Sequence, residues 1–381
     1  MKMARNFKLA VADKYYKIKY MNSISLEDLE YIALGSTVLG TGGGGDPYIG
    51  TLMTREAIRN KGSVPLINVK DLDDDAFVVS IAAFGAPVIL LEKLFSGDEF
   101  IRAFDMMEKY HNRKIDAIIP AEAGGLNGVI PIGVAATKGI PLVNGDGMGR
   151  AFPRLEMVTF TLHGISASPM SQADEKGNTI IYNTIDNVWG ETLVGSTTIQ
   201  MGGSSAIGAF PMNGAQVKKA AVRDIVTFAY NIGKSIIDAK KEQGNALERL
   251  LKITDGIQLF EGKISDVKIV ADGRWNKGIC EILGLNESKG STMVLDFQNE
   301  FLMAKKDGKA VAITPDLIVL LDAENAHPIT AETIQYGTRV IVIAMPCNAQ
   351  WRTPEGIELG GPKKFGYTEA YVPFEELNKK N

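Results

Sequence analysis

Cysteine and histidine are scarce in this chain. Its 381 residues include two cysteines, Cys280 and Cys347, and three histidines, His111, His163 and His327. Two cysteines make no disulfide framework and no Cys-rich zinc site, which fits a reducing compartment. Positive charge is not in excess either. The net charge is −4, which argues against a nucleic-acid partner, because phosphate binding needs a basic face. The stretch Lys8 to Lys19 carries four lysines and two tyrosines and reads as a solvated arm. Long apolar runs are missing as well. The most apolar uncharged stretch, Ala76 to Leu91, has 16 residues, fewer than the ~18–20 a span requires. No apolar signal segment follows the N-terminus. The expectation is a cytoplasmic protein without membrane or nucleic-acid partners, acting on a small molecule. Self-association as a homo-oligomer stays open.

Several catalytic signatures are also missing. The sequence has no G-x-x-x-x-G-K-[ST] phosphate loop, no H-E-x-x-H, no C-x-x-C and no G-x-S-x-G nucleophile turn. Gly40, Gly42 and Gly45 satisfy G-x-G-x-x-G in letters only. A dinucleotide site needs a strand before it and an acid about 20 residues later. Here a helical segment precedes the run, and residues 61–70 hold no acid.

Glycine is abundant, at 40 residues, well above the ~7% of average usage. The chain also alternates. Ser25 reads as a helix N-cap, with Asp28 three residues later and an Ile24–Leu29 staple. That helix runs to Leu39 and meets the turn Gly40–Pro47. A second helix follows near Tyr48 to Asn60. Then come a strand at Phe77 to Ala83, a helix at Asp98 to His111, a strand at Ile115 to Pro120, a helix at Gly125 to Lys138 and a strand at Pro141 to Val143. Such alternation predicts βαβ units and a parallel sheet. Met157 to His163 and Thr179 to Tyr182 read as further strands, and Gln216 to Lys241 as one long helix.

Beyond about Ile257 short strands with turn signals take over, including an Asp307-Gly308 hairpin. The expected fold is α/β: a three-layer N-terminal domain with a mostly parallel sheet, joined to a β-rich C-terminal domain. The expected boundaries are an extension over residues 1–22, the α/β domain with its helical tail over 23–255, the β-rich domain over 256–372 and a tail over 373–381.

Ligands of open parallel sheets bind at the carboxyl ends of the strands. Three successive strand ends here are glycine-rich: Phe84-Gly85-Ala86-Pro87, then Glu122 to Gly128 with Asn127, then Asn144 to Arg150 with Asp146. Glu122 and Asp146 are the candidate catalytic carboxylates. Gly42, Gly43, Gly44, Gly45 and Asp46 could form an anion-binding nest. Gly85, Asn127, Arg150, Asn299 and Glu300 complete the expected ligand-binding set. No cofactor can be named from the sequence. A divalent metal held by Glu122, Asp146 and His163 is one open option, although His163 reads first as a satisfied semi-buried histidine and only then as a base or metal ligand.

Several of these motifs together resemble the DUF917 family, labelled S-methyl-thiohydantoin desulfurase-like. They are Leu39-Gly40-Thr41-Gly42-Gly43-Gly44-Gly45-Asp46-Pro47-Tyr48, Gly85-Ala86-Pro87, Glu122-x-Gly124-Gly125-x-Asn127 and Gly145-Asp146-x-Met148-Gly149-Arg150-Ala151-Phe152-Pro153. Phe297-Gln298-Asn299-Glu300, Pro315-Asp316-Leu317-Ile318 and Phe365-Gly366-Tyr367 extend the match, which covers about residues 25–372. One departure is Arg154, where the resemblance leads one to expect Glu. The resemblance implies a hydantoinase- or oxoprolinase-associated enzyme, a hydrolase for a small cyclic amide or thioamide, with removal of sulfur from a thiohydantoin ring as one form. Two alternatives stand beside it: a nucleotide-binding enzyme, and a non-catalytic subunit of a hydantoinase-type partner.

Overall fold

The computed structural model describes residues 20–85, 93, 95–272 and 275–379. The basic stretch Lys8 to Lys19, together with Ala86 and Pro87, lies outside the described residues.

The strands of the first sheet are β1 (Ser23–Ile24), β2 (Val64–Asn68), β3 (Phe77–Gly85), β4 (Ala117–Ile118), β5 (Leu142–Asp146), β6 (Met170–Ala173), β7 (Thr179–Tyr182), β8 (Ser204–Asn213) and β9 (Val222–Arg223). Their order is β1-β2-β5-β4-β3-β8-β6-β7, with β9 beside β5. The centre, β2-β5-β4-β3, is parallel. The flanks are antiparallel. The fold is therefore α/β as the alternation implies, with its parallel part confined to the centre where the expected site lies.

The helices are α1 (Leu29–Leu39), α2 (Tyr48–Lys61), α3 (Asp98–His111), α4 (Ile130–Lys138), α5 (Thr159–Leu162), α6 (Asn187–Gln200), α7 (Gly214–Ala220), α8 (Ile225–Lys241) and α9 (Ala246–Thr254). Helix α1 starts one turn after Ser25. The Ser25 amide and hydroxyl both donate to Asp28 Oδ2, at 2.9 and 2.6 Å, which is the carboxylate half of a capping box.

Three sequence expectations change. Residues 157–163 hold the short helix α5, not a strand. A short apolar run does not reveal its period, and burial of Phe160 against Phe210 suits a helical turn equally well. The expected helix 216–241 is broken, because Val222-Arg223 pairs with Asp146 and Gly145 of β5 and Asp224 takes φ +61°. The expected extension is not loose up to residue 22. Met21 is buried in the core, and the Asn22 carbonyl accepts from Leu66 N at 2.9 Å.

The second sheet is wholly antiparallel. It comprises β10 (Ile257–Asp272), β11 (Trp275–Gly284), β12 (Thr292–Gln298), β13 (Glu300–Lys306), β14 (Lys309–Ile313), β15 (Leu317–Asp322), β16 (Pro328–Ile329) and β17 (Arg339–Met345). Its order is β14-β13-β12-β11-β10-β17-β15-β16. Asp307 and Gly308 turn the β13–β14 hairpin with φ +49° and +77°, as a primed turn requires.

Strands β15 and β17 read as unbroken apolar runs because both their faces are buried. Leu317, Val319, Leu321, Ile341, Ile343 and Met345 join the core of the first sheet. Ile318, Leu320, Val340, Val342 and Ala344 join the core of the second. The end of the chain is held too. Phe374 is buried in the second core, and its amide donates to Asp316 Oδ2 at 3.0 Å.

Candidate functional site

The site is built where three loops of the first sheet meet one turn of the second. Glycines permit the approach. A Cβ on Gly44 would lie 2.8 Å from the Gly124 carbonyl oxygen, and one on Gly125 would lie 2.4 Å from Gly44. A Cβ on Gly43 would lie 2.2 Å from Glu300 Oε1. The run 40–45 is thus a crossing point of chain segments. Its carbonyls are engaged as well: Thr41 accepts from Phe301 N, Gly42 from Ala331 N and Gly44 from Leu126 N.

A small cavity of about 100 Å³ lies beside this crossing. Its apolar wall includes Ala82, Ala83, Leu126, Phe152, Leu155 and Ile207. Its polar wall includes Glu122, Asn127, Arg154, Asn299 and Glu300, with Gly44 and Gly85 from the glycine motifs.

Glu122 follows β4 and is buried. Asn127 Nδ2 donates to its Oε1 at 2.8 Å, while Oε2 has no hydrogen-bond partner among the described residues. The Asn127 amide is itself fixed. Its Oδ1 accepts from Ala83 N at 2.7 Å, and Nδ2 also donates to Ala83 O at 3.1 Å. Burial pushes the Glu122 carboxyl up to about 8. The Asn127 bond opposes that rise, and the charge of Asp146 adds to it.

Glu300 comes from the other sheet. Asn299 turns β12 into β13 with φ +63° and so presents Glu300 to the first sheet. Glu300 is buried, and its Oε2 likewise has no hydrogen-bond partner among the described residues. Burial, then the Glu122 charge, hold its carboxyl well above the usual range, against the pull of Arg150. An ionised Glu122 therefore favours a protonated Glu300, whereas the charge that raises Glu122 is that of Asp146.

The other expected residues lie elsewhere or are engaged otherwise. Asp146 is fully buried and does not line the cavity. Its Oδ2 accepts from Ala123 N at 2.7 Å, and both its oxygens accept from Gly149 N, at 2.8 and 3.0 Å. Burial still lifts it to about 7, against those amides. Arg150 is a fully buried clamp between the sheets and does not line the cavity. Its Nη1 donates to the carbonyls of Pro315 and Asp316, at 2.5 and 3.1 Å, and its Nη2 to Thr41 Oγ1 at 3.2 Å. Burial lowers it to about 10, while the nearby Glu300 charge supports it.

The glycine run contributes Gly44 to the cavity wall. Gly42, Gly43 and Gly45 are not among the lining residues. The row of N–H donors expected from this run is thus reduced to one position. Asp46 faces away. It is exposed, accepts from Tyr48 N at 2.8 Å, and lines a different groove with Glu30, Arg55 and His327.

His163 does not join Glu122 and Asp146. Its Nε2 is 2.8 Å from Gln350 Oε1, and it does not line the cavity. Among the described residues no three His, Cys, Asp or Glu side chains converge as a metal-binding set. The residues expected to hold a metal therefore do not fit one, and no step below is routed through it.

Sequence reasoning missed Leu155 and Ile207 of the cavity wall, and it noted Phe152 and Arg154 only within the motif that follows Asp146, without placing them among the site residues. Ile207 lies in β8, hidden in a stretch rich in Gly and Ser, and carries no signal of its own.

A crystal structure of a protein from Chromobacterium violaceum has the same fold. The TM-score is 0.75, identity is 23%, and the match covers 92% of this chain and 99% of that one. No curated protein sequence matches the chain. The profile of the S-Me-THD-like N-terminal domain matches residues 27–184 and that of the C-terminal domain residues 185–374, so the chain belongs to the S-Me-THD-like family.

Proposed function

We propose that the chain is a hydrolase for a small cyclic amide or thioamide of the hydantoin or thiohydantoin type, with Glu122 and Glu300 as its working pair. The observation that carries this reading is two buried carboxyls beside one small cavity, each with an oxygen that has no hydrogen-bond partner among the described residues. Family membership supports the substrate class.

Water attacks an sp² ring carbon poorly at neutral pH unless a base removes its proton. A pair that shares one proton supplies both partners of the step. Ionised Glu122 takes the proton of water at Oε2 while the new C–O bond forms. Protonated Glu300 gives its proton to the ring carbonyl oxygen or thiocarbonyl sulfur. The tetrahedral adduct then collapses, with a proton passed from Glu122 to the leaving atom and the proton of an adduct hydroxyl returned to Glu300 as the carbonyl forms. If ring nitrogen leaves, the C–N bond breaks and the ring opens. If sulfur leaves, the C–S bond breaks and the carbonyl remains. In this reading Asn127 directs Glu122, and Asp146 ties the two strand-end loops together.

The test is a panel of hydantoins, thiohydantoins, S-methyl-thiohydantoins and cyclic imides, with product analysis. Sulfide or methanethiol marks C–S cleavage, and a carbamoyl amino acid marks ring opening. Absence of turnover on every ring, or full turnover by Glu122→Gln, sinks the reading.

A further inference from the structure

We infer that the outer face of α6 is a self-association surface, on which a second copy of this chain packs its own α6 antiparallel about a twofold axis. The inference does not depend on the reaction.

Helix α6 is already held by its inner face. Asn187, Gly190, Glu191, Val194, Gly195 and Thr198 are buried, and Glu191 Oε2 accepts from Leu155 N at 2.9 Å. A helix whose other face meets water carries charge there. This face carries none, because the one ionisable residue of α6 is the buried Glu191. Val188, Trp189, Leu193 and Ile199 stand outward instead, 50%, 49%, 40% and 57% exposed, with Ile185 just ahead of the helix at 85%. Exposed Thr192, Ser196 and Gln200 fill the gaps between them. The spacing of three and four residues makes these positions one continuous stripe.

Single exposed apolar side chains are ordinary, but a contiguous group marks a contact surface. Five side chains of this size and exposure leave on the order of 500 Å² bare. A stable dimer buries about 800 Å² on each partner, so the stripe supplies the greater part of that before any rim contact. Its lack of charge matches the core of an interface.

A second copy is the occupant that fits. An uncharged face offers nothing to select a charged partner, and it meets its own image without like-charge repulsion. The net charge of −4 adds little repulsion between copies. Antiparallel pairing also sets the two helix dipoles against each other favourably. A twofold axis near Thr192 and Leu193 makes the contact self-complementary. It sets Trp189 over the partner's Ser196, a large side chain against a small one, and brings Ile185 towards the partner's Ile199.

Sedimentation of the full chain tests this. At about 10 μM, a concentration at which a dimer with a Kd near or below ~1 μM is mostly formed, a mass twice that of one chain is expected. Thr192→Asp would set two like charges at the axis and is expected to weaken association at least about a hundredfold. Folded content by circular dichroism should be unchanged, since Thr192 is exposed and the two residue types have similar helix propensity. A monomeric unaltered chain overturns the inference. So does a dimer that a folded Thr192→Asp leaves intact, because the contact then lies elsewhere. Crosslinking gives a second readout that does not need Thr192→Asp to fold, and both native cysteines are buried. With a thiol crosslinker of about 10 Å reach, Thr192→Cys is expected to join two chains, whereas Ile185→Cys, whose copies lie about 20 Å apart at ~1.5 Å per residue, is not. Any other crosslinking pattern overturns the antiparallel pairing.

Discussion

The loops after β4 and β5 begin alike and end differently. Each places a carboxylate just beyond a parallel strand, Glu122 in one and Asp146 in the other, and both are buried with raised pKa values. Asp146 meets backbone amides of Ala123 and Gly149 on both its oxygens. Glu122 meets the Asn127 side-chain amide on Oε1 and feels the Phe152 backbone amide, while its Oε2, beside the cavity, has no partner of hydrogen-bond geometry among the described residues. Position in the sheet is shared, so it does not separate the roles. The supply of N–H donors does: a carboxylate enclosed by them fixes a loop, and one left half-bonded has an oxygen free for chemistry.

The sharpest way to break this comparison is to remove each acid in turn. Glu122→Gln is expected to lower kcat by about 10²–10⁴, the range for loss of a general base, in a protein that still folds. Steady-state kinetics on any substrate found would measure it. Asp146→Asn should do the reverse. Its new NH₂ group faces the Gly149 amide, so about 1–3 kcal/mol of stability is lost, and activity falls only as the folded fraction falls. Denaturant melts beside kinetics would separate the two. If Asp146→Asn abolished turnover at full stability, the assignment of roles would be reversed.

A third test uses pH. Unfolded carboxyls titrate near ~4, whereas folded Glu122 titrates at about 8 and Asp146 at about 7. Between those limits the unfolded chain has released protons that the folded chain keeps. Stability from these groups is therefore complete at low pH and is lost as pH rises through 7 and 8. The melting temperature should fall over that window, and Glu122→Gln should make the fall shallower. Identical slopes would mean that Glu122 ionises normally.

The smallest effect expected is that of Asn127→Ala. Its bond to Glu122 lowers that carboxyl's pKa, so its loss raises it further. The basic form then appears later, and the acidic limb of the kcat/KM profile moves to higher pH. A drop in rate without movement of that limb would reduce Asn127 to a packing role.

What the sequence made legible follows from the same physics. Glu122 could be read because it follows a strand and is flanked by glycines. Glu300 could be marked as a carboxylate at a strand end, but nothing in β12 or β13 says that their turn meets the Glu122 loop of the other sheet. Asp307-Gly308 was readable because a primed turn restricts its residues. Residues 157–163 were misread because a short apolar run fits two periods. The strand β8 escaped because its Gly, Ser and Ala residues lack the branched pattern of a strand, and it is held by pairing with β3 and β6 instead. The glycine run was legible as close packing, but which segments it meets depends on contacts far along the chain.

The Arg150 clamp has a consequence for how ligands come and go. Many two-part enzymes admit substrate by swinging one half away from the other. Here such a hinge would pull a fully buried guanidinium off the carbonyls of Pro315 and Asp316. It would break both charge-assisted bonds at once and open a fully buried contact on every turnover. Traffic is therefore expected to pass between rim side chains on fast, local motions. Turnover should then be insensitive to solvent viscosity and to crosslinks that join the two halves.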